Sequence, residues 1–588
     1  MLDALLIQIS TSYIHINVRS TEPQLGLYYI AEYACSKGFN VKVKQYSSSE
    51  PIIGSIDNLL KQHNCKIVGF YVDSENTWII RRVLPCLKRN NPDVFAIIGG
   101  PQVTGDAKLA LKRIPHADYA IIGEGEIPFT ELISQIKCKQ FNLTLVKGLA
   151  YVDASGAFVY NGGQPQSKNL DHYAFPRRKE YSLDDNLEFA QISTGRGCIG
   201  QCAFCFEGNK TENKLRLRNT DNVIEEIDYV ISNLRHLRYI TFLDDTFIID
   251  PNRTETICNH LINKYNGKIG WFCEARVDIL IRNLHLLPLM KKAGLIRIQL
   301  GGESGNQKVL DAYRKQIKLD QLRTVVKEIY KAGIPSIYVN FIVGGAFETL
   351  ETFNDTIEFA KELMEIAPGC VEVGSSLLSP YVGTPIRDNP NLFGLKILDK
   401  DSLTGPDGFV PLVETDSLSE YKINQLKSIF DVEIDKKAIE ILINNLSFNV
   451  ILSQYIFERD YSMETYWYTK SQEIESYKNY FEPIAKFGYF SILQLSKEDL
   501  LISVPFRTCQ PISDGEFYYR KVNLKLVKNT PLENAVYLLS AGKISYFEIL
   551  DILSRSEEFK DIDKLEQQVY EIYLKFDSER NVVWKRDY

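Results

Sequence analysis

Cys198, Cys202 and Cys205 stand in the spacing Cys-x3-Cys-x2-Cys within "TGRGCIGQCAFCFEG". A structural zinc ion takes four protein ligands, and the nearest histidines, His172 and His236, lie roughly thirty residues away. A disulfide takes two cysteines and would leave one over. An iron–sulfur cube is held by four thiolates. Three thiolates leave one iron with open coordination sites, which serve a purpose only if a substrate or cofactor binds there. Gly195, Gly197 and Gly200 let the segment curl tightly. A structural zinc ion, or thiols with no shared role, is the competing reading.

Other chemistry-bearing residues fall at the ends of apolar runs. "FLDDTF" carries Asp244 and Asp245, "WFCEARV" Glu274 and Arg276, "GGESG" Glu303 and Ser304, and "VNFIVGG" Asn340. Any one of them reads equally well as a helix N-cap. A second set lies nearer the N-terminus: Ser10 and Thr11, Val72 to Ser74, Gly99 and Gly100, and Gly123-Glu124-Gly125-Glu126.

The elements that must position these residues follow from the patterning. The first 135 residues alternate apolar strand and amphipathic helix, from "DALLIQIS" to "YAIIGEGE". That alternation predicts right-handed βαβ units and a flavodoxin- or Rossmann-like parallel sheet. Open sheets bind ligands at the carboxyl ends of their strands, where the second set falls. Residues 1–150 are expected to form this domain. Residues 151–185, rich in Gly, Pro and polar side chains, read as a connector. About six strand–helix units follow in 186–390, too few for a closed eight-unit barrel, so a partial (β/α)6 barrel is expected. The chemistry then belongs at its strand C-termini. Residues 391–588 lose the alternation and read as mainly helical. Tyr455, Tyr461, Tyr466, Trp467, Tyr468, Tyr477 and Tyr480 read as a helical core, with a lid over the barrel mouth as the sharper alternative.

Cys-x3-Cys-x2-Cys with an aromatic residue, Phe204, before the last cysteine resembles the signature of the radical S-adenosylmethionine (SAM) enzymes. The resemblance implies a 4Fe–4S cluster on Cys198, Cys202 and Cys205, with SAM chelating the fourth iron. It places Phe204, Asp244, Arg276, Glu303, Ser304 and Asn340 near SAM. The first domain, through "TEPQLGLYYIAEYACSKGFNV", "IIGGPQVTGD" and "AIIGEGEIPFTEL", resembles the cobalamin-binding domain of one large class of these enzymes. That implies cobalamin contacts at Thr11, Val72, Ser74, Gly99, Gly100, Gly123, Glu124 and Gly125. The Asp-x-His-x-x-Gly motif of many cobalamin proteins is absent, and His15 stands alone in the first loop. Cobalt without a protein histidine is therefore expected.

Taken together, the resemblance implies a cobalamin-dependent radical SAM C-methyltransferase. SAM would serve as methyl source through methylcobalamin and as source of a 5′-deoxyadenosyl radical. The target would be an unactivated carbon of a peptide or secondary metabolite, and the electron donor a flavodoxin- or ferredoxin-type protein. Radical rearrangement, cyclisation or oxidation without methyl transfer is the enzymatic alternative; a cluster-containing peptide- or DNA-binding regulator is the other. Residues from "YLLSAGKISYFEIL" onward resemble a small winged-helix module, with Leu538, Leu539, Ile544, Ile549 and Leu550 as its apolar face.

Composition agrees with this class. Of 588 residues, 45 % are hydrophobic and 24 % charged, as in folded globular domains. The formal net charge of -7 argues against a general nucleic-acid binder. No apolar run reaches the roughly 18 residues of a membrane span, and the N-terminus lacks a signal-peptide pattern. Cys35, Cys65, Cys86, Cys273 and Cys370 stand singly in apolar segments, as buried thiols of a reducing cytoplasm do. Replacing Cys198, Cys202 and Cys205 together by Ala is expected to abolish iron-dependent absorbance after anaerobic reconstitution, while Cys273→Ala and Cys370→Ala leave it intact. A full cluster in the triple variant would refute the assignment.

Overall fold

The computed structural model describes residues 2–10, 24–139, 142–183, 187–207, 215–398, 410–515 and 517–586. The chain divides into two compact units. The first holds most of the chain up to Ile434, and the second holds Asp435–Tyr588 with the short stretch Pro368–Glu372.

The first unit begins with a seven-stranded sheet. Its strands are β1 (Ala4–Ser10), β2 (Val41–Ser47), β3 (Ile67–Tyr71), β4 (Phe95–Gly99), β5 (Tyr119–Ile121), β6 (Leu149–Val152) and β7 (Phe158–Tyr160). Their order is β2-β1-β3-β4-β5-β6-β7. The first five run parallel, and β6 and β7 are antiparallel to their neighbours. Helices cover both faces, so β1 is apolar on both. Leu5, Ile7 and Ile9 pack on one core and Ala4 and Leu6 on the other. The expected connector therefore starts later than residue 151. "DASGA" makes a turn in which Asp153 Oδ1 accepts from the Ala157 N–H at 3.0 Å, with Gly156 at positive φ, and β7 follows it.

The order β2-β1-β3-β4-β5 puts a topological switch between β1 and β3, where such sheets bind ligands. The loop beyond β3 is rigidly built. Asp73 Oδ1 accepts the N–H groups of Glu75 and Asn76 at 2.9 and 2.8 Å. The buried Asn76 amide donates to the carbonyls of Ile9 and Tyr71 at 3.3 and 3.0 Å, tying the two strand ends together.

A second sheet of six strands carries the barrel. They are β8 (Phe189–Ile192), β11 (Tyr239–Phe242), β12 (Gly270–Ala275), β13 (Leu295–Glu303), β14 (Ser336–Val343) and β15 (Val371–Leu377). Between β8 and β11 lies a small hairpin, β9 (Gly195–Arg196) and β10 (Arg216–Leu217). The six strands follow one another in chain order, and the pairs from β8 to β14 are parallel. This is an open, partial barrel. The first unit also takes in the hairpin Leu395–Ile397 with Val413–Thr415, so the change of architecture falls near Asp435 and not at residue 391.

The second unit is built from helices with two small sheets. Tyr455, Trp467, Tyr477 and Tyr480 are fully buried in it. The Tyr480 hydroxyl donates to Asp577 at 2.7 Å, and Tyr455 meets Tyr468 edge-on. These rings are core. Near the C-terminus Ile549 is buried, while Leu538 faces solvent, because Tyr537 takes the inward position of that helix. No described helix is long and apolar enough to cross a membrane.

One glycine shows how tightly the first sheet's ligand edge is made. Gly100 has φ +111, and a Cβ there would lie 2.6 Å from the Val72 carbonyl oxygen. The Val72 N–H donates to the Gly99 carbonyl at 2.7 Å, so the ends of β3 and β4 are joined backbone to backbone. Gly123 has φ +85 but open space around it. Gly100→Ala is expected to destabilise the protein by about 2–4 kcal/mol and Gly123→Ala by about 1 kcal/mol. Denaturant titration checks this, and equal costs would contradict it.

Candidate functional site

The loop after β8 carries the three cysteines, and a buried relay fixes its root. The Thr194 N–H and hydroxyl donate to the two carboxylate oxygens of Asp244 at 2.9 and 2.6 Å. Arg253 donates to the Thr194 hydroxyl and carbonyl, both at 2.7 Å. Burial pushes the Asp244 carboxyl up, and the Thr194 bonds and Arg253 oppose it. Further along, the Ala203 N–H donates to the Tyr313 carbonyl at 2.8 Å, and its carbonyl accepts from Ile386 at 3.2 Å. The Cys205 N–H closes a turn on the Cys202 carbonyl at 3.0 Å.

None of the three is in a disulfide; Cys202 is buried and the other two are partly exposed. The Arg276 guanidinium lies over Gly200, where a Cβ would collide with it, and its Nη1 stands 3.6 Å from Cys202 Sγ. Asp278 holds the same guanidinium at 3.0 Å. Among the described residues no three Cys, His, Asp or Glu side chains converge on one point as a single ion requires. A cube distributes its thiolates over separate irons.

Beside this loop lies a cavity of about 410 Å³. Ser74 and Glu75 reach it from the loop after β3, and Phe204 from the cysteine loop. Asp245 comes from the end of β11, Glu274 and Arg276 from β12 and just beyond it, Gln299 and Glu303 from β13, and Asn340 from β14. Ser376 and Tyr381 close the far side. Its lining draws on the strand ends of both sheets. The short helix Pro101–Gly105 after β4 also approaches this side, since a Cβ added to Gly105 would touch Phe206 and Val382 at 3.8 Å.

Glu303 adopts φ +59 at a register shift between β13 and β14, which turns its side chain into the cavity. Lys315 Nζ meets it at 2.6 Å, and also lies 5.9 Å from the centre of the Phe204 ring. A Cβ on Gly301 would strike both partners of that pair. Gln299 donates to Glu274 at 3.1 Å, and Asn340 to Ser376 at 3.2 Å. Burial first, then the charges of Asp245 and Glu303, push the Glu274 carboxyl up to about 7, against the pull of Lys315.

Phe204, Arg276, Glu303, Asn340 and Ser74 thus meet around one space. Asp244 does not line it; both its oxygens hold Thr194, and its neighbour Asp245 takes the cavity position. Ser304 is buried on Thr356 at 3.2 Å and caps the Asn306 N–H at 3.1 Å. Val72, Gly99 and Gly100 form the backbone joint at the sheet edge. The Gly123 N–H donates to Thr104 at 3.0 Å, and Gly125 makes room for Ile30. Glu124 is taken by Arg216 and Arg196; although burial pushes its carboxyl up, the two guanidiniums hold it below the usual range. Thr11 and His15 lie outside the described residues. The loops at the carboxyl ends of β3, β4 and β5 contain no histidine.

The sequence does not single out Glu75, Lys315, Gln299 or Tyr381 as cofactor contacts. Asp245 is read together with Asp244 in "FLDDTF", but nothing in the sequence links Lys315 to Glu303. Because Glu274 binds a proton more tightly folded than unfolded, its contribution is complete below about pH 4.5 and is lost as pH rises through about 7. Glu274→Gln is therefore expected to match the wild type in stability near the lower limit and to exceed it by about 2 kcal/mol at pH 8. Thermal melts across this range check the sign; a variant less stable than wild type at pH 8 would contradict it.

Comparison with known proteins agrees with this geometry. Residues 192–360 match the radical SAM superfamily and residues 12–133 the B12 binding domain. An uncharacterized methyltransferase of Pyrococcus horikoshii is 29 % identical over 373 residues, spanning 62 % of this chain and 78 % of that relative. An anaerobic magnesium-protoporphyrin IX monomethyl ester cyclase of Rubrivivax gelatinosus is 28 % identical over 303 residues, half of this chain and 54 % of the cyclase. Among solved structures, the cobalamin-dependent SAM radical enzyme OxsB superposes with a TM-score of 0.58 at 17 % identity, over 82 % of this chain and 73 % of that one. The radical SAM methyltransferase TsrM of Kitasatospora setae gives 0.55 at 16 % identity, over 69 % and 80 %. The two family matches bring a 4Fe–4S cluster, SAM and cobalamin as the cofactors. The three thiols, none of them in a disulfide, fit the cluster, and the glycine-edged first sheet fits a flat macrocycle. A region that matches the B12 binding domain is thus joined to one that matches the radical SAM superfamily, and the chain is similar to the cobalamin-binding radical SAM enzymes.

Proposed function

We propose that the protein is a cobalamin-dependent radical SAM C-methyltransferase acting on an unactivated carbon of a small metabolite or peptide. One observation carries the reading: a single cavity is lined by Ser74 and Glu75 from the first sheet and by the strand ends of the barrel. A carbon radical takes a methyl group only from an immediate neighbour, so the two cofactors have to serve one enclosed space. Bound there, SAM on the cluster supplies a 5′-deoxyadenosyl radical, and cobalamin supplies the methyl group.

The chain's own residues supply position and enclosure. Cys198, Cys202 and Cys205 would hold the cluster. Phe204, Arg276, Glu303 and Asn340 would border SAM, and Ser74 with the glycine edge at Gly99 and Gly123 would border cobalamin. Arg276 lies beside Cys202 and is held in plane by Asp278, so it adds fixed positive charge next to the thiolates. Lys315 pairs with Glu303 at 2.6 Å in a buried place, which holds both side chains against the cavity wall. Exclusion of water protects the radical from side reactions. A flavodoxin- or ferredoxin-type donor would bring the electron.

The name of the Rubrivivax relative favours one second reading, ring closure without methyl transfer. Anaerobic reconstitution with iron, sulfide and cobalamin decides between them. Candidate substrates come from the products of adjacent genes, and the SAM carries a deuterated methyl group. The methyltransferase reading expects 5′-deoxyadenosine and a product that carries the labelled methyl. A product that loses hydrogen and gains no carbon would replace it with the cyclase reading.

A further inference from the structure

Arg196 lies two residues before Cys198, in the two-residue strand β9. Its guanidinium reaches out of the barrel to the first sheet. Nη2 stands 2.6 Å from Glu126 and Nη1 3.2 Å from Glu124, both just beyond β5. Arg216, on the partner strand β10, reaches the same Glu124 at 2.5 Å. The rings of Tyr29 and Tyr173 flank the Arg196 guanidinium at 5.1 and 5.4 Å. The Glu126 side chain is only 4 % exposed and that of Arg196 23 %. Two guanidiniums face two carboxylates, so charge balances locally. A planar cation held by two carboxylates and flanked by two rings is fixed in orientation as well as in place.

The supports of the cysteine loop given by Asp244, Arg253 and Tyr313 belong to the barrel side. Asp244, Arg253 and Tyr313 would move with the loop if the barrel shifted against the first sheet. Further contacts cross between the two: Leu25 N–H donates to Gln191 at 3.2 Å, and Arg218 donates both to the Tyr29 hydroxyl at 3.2 Å and to the Ser193 carbonyl at 2.7 Å, just before the strand that carries Arg196. Arg196 ties the root of the cysteine loop to the loop at the ligand-binding edge of the first sheet.

We propose that Arg196, through Glu124 and Glu126, is a positioning residue that sets the distance and orientation of the cluster relative to cobalamin. The inference rests on the two-cofactor reading above. It assigns Glu124 to the protein's own framework and not to cobalamin.

The test is pulsed electron paramagnetic resonance on the full chain, reconstituted with the cluster and cob(II)alamin, with the cluster reduced. The dipolar coupling between the two spins reads their separation. The wild type is expected to give one narrow distribution. Arg196→Gln should keep its iron and cobalt content but give a distribution about twofold wider, and Arg196→Lys should recover part of the difference. An Arg196→Gln distribution equal to the wild type would overturn the proposal. If the wild type takes up no cobalamin, the two-cofactor reading fails separately. The positioning role is then read in the cofactor-free protein from amide hydrogen exchange over 195–206. Arg196→Gln is expected to exchange there about tenfold faster, and unchanged exchange overturns it. Should Arg196→Gln not fold, Glu126→Gln reads the same two signals, with the same outcomes for and against.

Discussion

A loop that presents three thiolates must hold its shape without help from the metal it receives. Here that shape depends on Asp244, whose two carboxylate oxygens are consumed by Thr194 at the loop's root. Arg253 grips the same threonine from the other side. The arrangement sits in a region where a lone carboxylate would be costly, and removal of one partner from such a buried set costs about 3–5 kcal/mol. Cys198, Cys202 and Cys205 inherit their direction from it. So does Phe204, which the pinned backbone of Ala203 delivers to the cavity wall.

The cavity repeats the same logic with different chemistry. Its two cations are both held by carboxylates, Arg276 by Asp278 and Lys315 by Glu303. Gly301 and Gly200 are bare because those pairs occupy the space a side chain would take. Glu303 reaches its partner through a left-handed backbone that a non-glycine residue adopts only at a cost of about 1 kcal/mol or more. Fixed charges of this kind need no rearrangement when a charged ligand arrives.

Much of this architecture was legible in the sequence, because the fold is written in periodicities. Strand–helix alternation announced both sheets, and the cysteine spacing named the chemistry of the loop. Phe204, Arg276, Glu303, Asn340 and Ser74 were reachable because strand C-termini are where such folds place ligands. What was not legible has a physical reason. Asp244 and Asp245 are neighbours in sequence, and only the pleat decides which one turns toward Thr194. Ser304 looked like a ligand group and proved to brace a helix start. Lys315 and Glu75 meet the site through contacts far apart in the chain, and no local pattern encodes those. "DASGA" did carry a hairpin signal, in its Asp and Gly, but the polar stretch around it read as linker.

The central claim is that both cofactors serve the single space between Ser74 and Tyr381. Anomalous diffraction at the iron and cobalt absorption edges, from crystals of the anaerobically reconstituted protein, tests it most directly. The account predicts iron at Cys198, Cys202 and Cys205, and cobalt at the carboxyl ends of β1 and β3, with the cavity lying between the two metals. Cobalt bound at a site that does not border that cavity, such as the opposite end of the first sheet, would contradict it.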